Sequence, residues 1–191
     1  YRNAGALITI LLFKRLESSL AAFQQSIHRL KEREKAMKKI AEGGIDSPNE
    51  RQDIMDFFAE RDDEGELEDV DIDEVIDAVE GLDRNERKEI TNDVEEDLID
   101  LRELENKDEE FVHEDGTDAK VEQLKDLLEN DLKDEKVLIF TQYVPTAEYI
   151  FEKLTGSSGS SQLAQFGDKK IGFVHGDSFK REVVNQFAPN S

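Results

Sequence analysis

Two short stretches of the sequence bring together side chains able to hold an anion. Thr141, Gln142 and Tyr143 directly follow the apolar run 137–140, and His175, Gly176, Asp177 and Ser178 follow a second apolar run at 171–174. Hydroxyls, a side-chain amide and the backbone N–H groups at a helix start all donate to phosphate oxygens. On spacing alone, a polar loop closing a strand is the commoner use of Thr141 and Gln142. Their chemistry therefore depends on which elements deliver them.

Other constellations are weaker. Asp73-Glu74-Val75-Ile76 has the form of a magnesium-binding acidic box, but such a box follows a buried strand, and here it follows the acidic run 69–73. Asp69, Asp71, Asp73, Asp77 and Glu80 fall at the spacing of a calcium-binding EF-hand loop, yet Glu74 stands where that loop needs glycine for its sharp turn. A stretch so rich in carboxylates produces both patterns by chance. His28, His113 and His175 are too scattered to nominate a metal site. Lys14, Arg15, Arg29, Lys31, Arg33, Lys35, Lys38 and Lys39 could face nucleic acid, although such a run is more often a solvated helix surface, and salt-dependent binding separates the two uses.

The elements that would position these residues follow from periodicity. From Leu7 the apolar residues recur at Ile10, Phe13, Leu16, Leu20, Phe23, Ile27, Leu30, Met37 and Ile40, the three-and-four spacing of one helix face, until Gly43 and Gly44 supply a stop. A helix of that length spans ~50 Å at 1.5 Å per residue, enough to brace two lobes or pair with another helix. Ser47-Pro48-Asn49-Glu50 has the form of a capping box with proline at the first helical position, and Ile54, Phe57 and Phe58 follow it. Val75, Ile76, Val79 and Leu82 predict a second short helix, and Ile90, Val94, Leu98, Leu101 and Leu104 a third, while the composition of 61–69 favours disorder. Asp118 opens another amphipathic helix through Val121, Leu124, Leu127, Leu128 and Leu132.

After that the period changes. The run 137–140 has strand length and leads through Pro145 into a helix carrying Ala147, Tyr149, Ile150 and Leu154. A Gly/Ser-rich loop, the second run 171–174 and a final helix with Val183, Val184 and Phe187 complete the order. Strand, helix, strand and helix with a crossover of about 30 residues imply parallel pairing in a right-handed βαβ unit. Ligands of such sheets bind where the strands' carboxyl ends meet the following loops, which is where Thr141–Tyr143 and His175–Ser178 stand.

Charge divides the 191 residues into three. Residues 1–40 carry +6 (9 basic, 3 acidic), 41–116 carry −25 (7 basic, 32 acidic) and 117–191 carry −3 (9 basic, 12 acidic), within a net charge of −22. The expected organisation is a long amphipathic brace helix at 1–44, an acidic helical insertion at 45–116 and an α/β segment at 117–191. There is no cysteine, so neither disulfides nor thiolate metal sites are available, which fits a cytoplasmic protein. No run approaches the roughly 18 apolar residues that span a bilayer, and "ALITILLF" lacks a basic leader and a cleavage site, so no membrane partner and no signal peptide are expected. The chain starts at Tyr1 without methionine and stops at "FAPNS", as an excised part of a larger protein would.

"DAKVEQLKDLLENDLKDEKVLIFTQYVPTAEYIFEKL", then "GFVHGDS" and "VVNQFAPNS", resembles the start of the C-terminal RecA-like lobe of Swi/Snf-type superfamily 2 helicase-related ATPases. "KVLIFTQYVPTAEYI" is similar to their motif IV, "HGD" and the helix ending in "FAP" to the segment before their motif V, and "ALITILLFKRLESSLAAFQQSI" to the helical segment leading into this lobe in bacterial members. The resemblance covers about half the chain and leaves out the acidic middle.

It implies an α/β fold with a partial RecA-like parallel sheet preceded by a long helix and an acidic helical insertion. It further implies a motor that closes two lobes on ATP and Mg and steps along duplex DNA, with Thr141, Gln142 and Tyr143 contacting phosphate and His175 with Gly176 shaping the next loop. In related helicases an arginine lies seven residues before the phenylalanine. Lys180 holds that distance from Phe187 with Arg181 beside it, so either one supplies the cation, and the four-residue gap after Gly176 is about three residues shorter than in the family. Val144-Pro145 replaces the family's polar cap.

No G-x-x-x-x-G-K-[ST] phosphate loop is present, and the resemblance places the family's arginine-bearing motif beyond Ser191. No ATP hydrolysis and no bound cofactor are expected of this chain by itself. The other expectation is a non-enzymatic or autoinhibitory module, in which the −25 segment binds a basic partner, or mimics DNA and inhibits the motor that carries it, since a surface this negative repels duplex DNA.

Overall fold

Side chains at three- and four-residue spacing do form helices, in a computed structural model that describes residues 2–43, 47, 49–52, 54, 72–107, 118–157, 163–175, 183, 185 and 187, with backbone alone for 2–7 and 72. In chain order the elements are α1 (Arg2–Ser18), α2 (Leu20–Ala41), α3 (Ile72–Glu80), α4 (Arg84–Asn106), α5 (Ala119–Glu129), α6 (Val144–Thr155), β1 (Leu163–Phe166) and β2 (Lys169–Gly172). Two compact units result, one of residues 1–23 and 108–191 and the other of 24–107, with the boundary inside α2. By sequence they carry −6 (12 basic, 18 acidic) and −16 (13 basic, 29 acidic). Among the described residues no helix is long and apolar enough to cross a membrane.

In the unit of residues 24–107 the helix faces close on a small core of Ile40, Ala41, Ile54, Ile76 and Val79, flanked by Ala36, Met37, Val75 and Ile90. Gly43 ends α2 at φ 72°, the left-handed geometry that glycine adopts without a Cβ penalty. The Ser47 hydroxyl accepts from the Glu50 N–H at 3.2 Å, as the capping box requires. A second box opens α4: the Asp83 carboxylate accepts from the N–H groups of Asn85 and Glu86, and the Glu86 carboxylate accepts from the Asp83 N–H. Phe57, Phe58 and the stretch 61–69 lie outside the described residues.

Basic side chains of this unit are drawn to its own carboxylates. Lys31 pairs with Glu105 at 2.5 Å, Lys38 with Glu95 at 2.5 Å, and Lys39 with Glu50 at 2.9 Å. Arg51 donates to Asp73 at 2.7 Å and Asp77 at 3.0 Å, so two carboxylates of the EF-hand-like spacing are engaged by a guanidinium. Asp69 and Asp71 are outside the described residues. Burial pushes the Glu34 carboxyl above the ordinary carboxylate range, and the charge of Asp97 adds to the shift.

The other unit departs from expectation in three places. The single helix expected from Leu7 to Ile40 is interrupted at Ser19. Two adjacent serines offer the backbone alternative partners, and here the Ser19 hydroxyl accepts from the Ala22 N–H at 3.1 Å, which restarts the helix as a cap would. Ser18 and Ser19 each place their hydroxyl 2.8 Å from that of Thr146, itself buried in the first turn of α6.

The second departure is the sheet. The parallel RecA-like βαβ arrangement is absent from the described residues: 137–140 has no strand partner, and the sheet is one antiparallel hairpin of β1 and β2. Leu163 pairs with Gly172 and Phe166 with Lys169, leaving the two-residue turn Gly167-Asp168. Gly167 has φ 60°, and hairpins of the II′ type call for glycine at that first turn position. Closing this short loop costs far less chain entropy than the roughly 30-residue crossover needed to bring 171–172 beside 137–140. The local partner takes the strand.

The third departure follows from the second. Lacking a sheet around it, the apolar run stands open to solvent, with Leu138 62%, Ile139 47% and Phe140 88% exposed.

The core of this unit lies instead between helices and hairpin. Val121 and Leu128 of α5, Phe151 and Leu154 of α6, and Phe173 after β2 are buried, and the Phe151 and Phe173 rings meet at 5.7 Å. Lys169 ties the hairpin to the end of α5, its ammonium donating to the carbonyls of Leu132, Lys133 and Glu135. Where the final helix was expected, Val183, Asn185 and Phe187 are helical.

Asp118 caps α5 by accepting from the N–H groups of Lys120 and Val121, and its other oxygen accepts from the Tyr149 hydroxyl at 3.1 Å. Burial, then the Asp118 charge and this hydrogen bond, push the Tyr149 phenol up to about 12. The proton is held more tightly in the folded chain than in the unfolded one, so this contribution to stability is complete below about pH 10 and is lost as pH rises through about 12. Spectrophotometric titration at 295 nm should show one tyrosine ionising last, and Asp118→Asn should bring it back toward the ordinary value. Ionisation of all tyrosines at the ordinary pH would refute this contact.

Candidate functional site

Within the unit of residues 1–23 and 108–191, the last turn of α1 and the segment leading into α6 enclose an open cleft of about 400 Å³. Lys14, Glu17 and Ser18 form one wall, and Phe140, Thr141, Gln142 and Tyr143 form the other. Positions 14, 17 and 18 share a helix face because three and four residues make one turn. The opposite wall is held by the hydroxyl cluster: the Ser18 hydroxyl bridges Thr146 at 2.8 Å and Thr141 at 3.5 Å, and the Thr141 hydroxyl accepts from the Tyr143 N–H at 3.2 Å.

All three residues expected to meet phosphate line the cleft, to different depths. Gln142 is exposed and Thr141 half-buried, whereas the Tyr143 ring is buried, with the guanidinium carbon of Arg15 4.9 Å from its centroid. Arg15 is itself buried, and its guanidinium lies over the Tyr143 ring as a cation on an aromatic face. An anion entering there meets the Lys14 ammonium, the Gln142 amide and the Thr141 hydroxyl. The Glu17 carboxylate on the same wall opposes anions and sets a limit on their affinity.

The remaining expected residues are elsewhere or undescribed. His175 does not line this cleft, and its ring stacks on Phe173 at 5.4 Å. Gly176, Lys180 and Arg181 lie outside the described residues. Sequence reasoning singled out 141–143 but missed the opposing wall, since Lys14 stood only within a general run of basic residues. Ser18-Ser19 in the middle of a helical pattern was the available signal that the chain breaks there and offers hydroxyls to a partner.

Among the described residues no group of three or more His, Cys, Asp or Glu is placed to hold a metal ion. No protein-family model, curated protein or solved structure matches this chain. The described glycines with φ near +60 to +72° close a helix or turn the hairpin.

Proposed function

We propose that this chain is a section of an ATP-dependent, helicase-like DNA translocase of the Swi/Snf type, cytoplasmic, contributing nucleic-acid contacts from the second motor lobe without hydrolysing ATP by itself. Support comes from the ordered blocks "KVLIFTQYVPTAEYI", "HGD" and "VVNQFAP", and from one observation that carries the reading. Thr141 and Gln142, the polar residues of the motif IV-like block, line a cleft together with the Lys14 ammonium. ATP and Mg belong to the full-length parent in this proposal.

Contacts to phosphate release counterions, so binding of a labelled DNA duplex should weaken steeply with salt. Lys14→Gln should lower the affinity at low salt and reduce the salt slope by about 0.7–0.9, the loss of one phosphate contact. Fluorescence anisotropy checks both. No binding at low salt, or a Lys14→Gln variant indistinguishable from the parent chain, would end this proposal.

A second reading is favoured by the unit of residues 24–107, whose −16 charge persists while Lys31, Lys38, Lys39 and Arg51 are engaged by its own carboxylates. Such a surface suits a basic partner or holds DNA off until one binds. Capture of a lysine-rich peptide by this unit, mapped by protected amides, would support that role.

A further inference from the structure

Lys31, Lys35, Lys38 and Lys39 fall at three- and four-residue spacing and so form one stripe along α2. Carboxylates from separate places in the chain already lie on it. Lys31 meets Glu105 and Lys38 meets Glu95, both at 2.5 Å, and Lys39 meets Glu50 at 2.9 Å. As the position on α2 rises, its partner's position on α4 falls, so the two helices run antiparallel, and Ile90 packs α4 against the core that holds Ile40 and Ala41 of α2. The contact is close enough to leave the Lys31 side chain 13% exposed. Within the unit of residues 24–107 a row of cations is thus filled by anions of the same fold.

Charge density decides what else such a row fits. From Lys31 to Lys39 the stripe covers ~12 Å at 1.5 Å per residue. Over that length duplex DNA presents about seven charges, at one per ~1.7 Å. An extended acidic peptide carries at most one per ~3.4 Å, half that density. Duplex DNA is therefore the occupant that the stripe favours. We propose that α4 and Glu50 mask a duplex-binding stripe of α2, their carboxylates holding Lys31, Lys38 and Lys39 in place of phosphates. This rests on the second reading above and deepens it by naming the surface withheld from DNA and the side chains that withhold it.

The test uses the whole chain with Glu50→Gln, Glu95→Gln and Glu105→Gln together, and fluorescence anisotropy on a labelled duplex. Glutamine keeps the size of each side chain and exposed ion pairs hold weakly, so the helices stay folded, which circular dichroism checks. Duplex affinity at low salt should rise. The slope of log affinity against log salt should steepen by about 2.7, three new phosphate contacts at about 0.9 each. Between 50 and 200 mM salt that is a loss of affinity about 40-fold greater than in the parent chain. Adding Lys31→Gln, Lys38→Gln and Lys39→Gln should return the slope to the parent value. Glu96→Gln, Asp100→Asn and Glu103→Gln, at exposed carboxylates of α4 outside these pairs, change the net charge equally and should leave the slope where it was.

If the uncovered chain gains no duplex affinity while the parent chain still captures a lysine-rich peptide, masking is refuted and the basic-partner role of the unit stands. If there is neither gain nor capture, the second reading fails as well. An equal gain from the Glu96, Asp100 and Glu103 substitutions would mean that the field of the whole unit, not these pairs, excludes DNA, and would overturn the inference. So would a gain for oligoglutamate as large as that for the duplex, since the occupant would then be an acidic protein.

Discussion

Replacing Phe151 by alanine is expected to cost about 3–5 kcal/mol, the range for removing a large aromatic side chain from a core. Phe151 is 2% exposed, carries α6 against the hairpin side through the Phe173 ring at 5.7 Å, and sits on the helix whose first turn holds Thr146 and the hydroxyl cluster. Stability of small domains is only about 5–15 kcal/mol, so the loss is a large share of the total. Tyr1, Tyr143 and Tyr149 all belong to the unit of residues 1–23 and 108–191, and the chain has no tryptophan. Tyrosine emission therefore follows this unit alone, and its denaturation midpoint should drop sharply in Phe151→Ala. An unchanged midpoint would mean that Phe151 does not organise the core. Phe151→Leu, which keeps more of the volume, should fall between the two.

Ile76→Ala should act comparably on residues 24–107, at about 2–5 kcal/mol. Ile76 is fully buried in a core of five buried residues, which leaves few neighbours able to collapse into the space. Its α3 turn also carries Asp73 and Asp77, the two partners of Arg51, but exposed ion pairs of this kind contribute roughly 0–1 kcal/mol and cannot offset the cavity. Amide exchange in 36–41, 75–79 and 90–98 should speed by about 30- to 4,000-fold, the ratio those energies imply. Protection equal to that of the unsubstituted chain would show that this core does not hold the unit together.

Helices were legible because their faces repeat along the chain. Val94 and Leu98 are buried at the positions their spacing indicates, Asp118 caps α5, and Pro145 stands in the first turn of α6. The sheet was not legible because a continuous apolar run of four residues has no period to test, and 137–140 reads as a strand from its length and from the strand-helix order alone. Phe166-Gly167-Asp168-Lys169 carries a two-residue Gly-Asp hairpin signal between the Gly/Ser-rich stretch and the second apolar run. The Asp83-Arg84-Asn85-Glu86 box is equally readable, although its acidic surroundings mask it.

At the site, Thr141 and Gln142 could be named from their junction, but nothing local to them announces Lys14. The two walls meet through Ser18, Thr141 and Thr146, hydroxyls separated by more than a hundred residues of sequence. The exposure of Phe140 was hidden for a related reason: burial depends on a sheet, and the β2 segment that was to provide it pairs with β1.

The claim that matters most is that nucleic acid enters the cleft between α1 and the 140–143 segment. A ¹⁵N-resolved NMR titration of the whole chain with a short DNA duplex at low salt tests it residue by residue. Amide shifts should concentrate at Lys14, Ser18, Phe140, Thr141 and Gln142 and disappear as salt is raised. Shifts confined to residues 24–107, or none at any of these five positions, would contradict it.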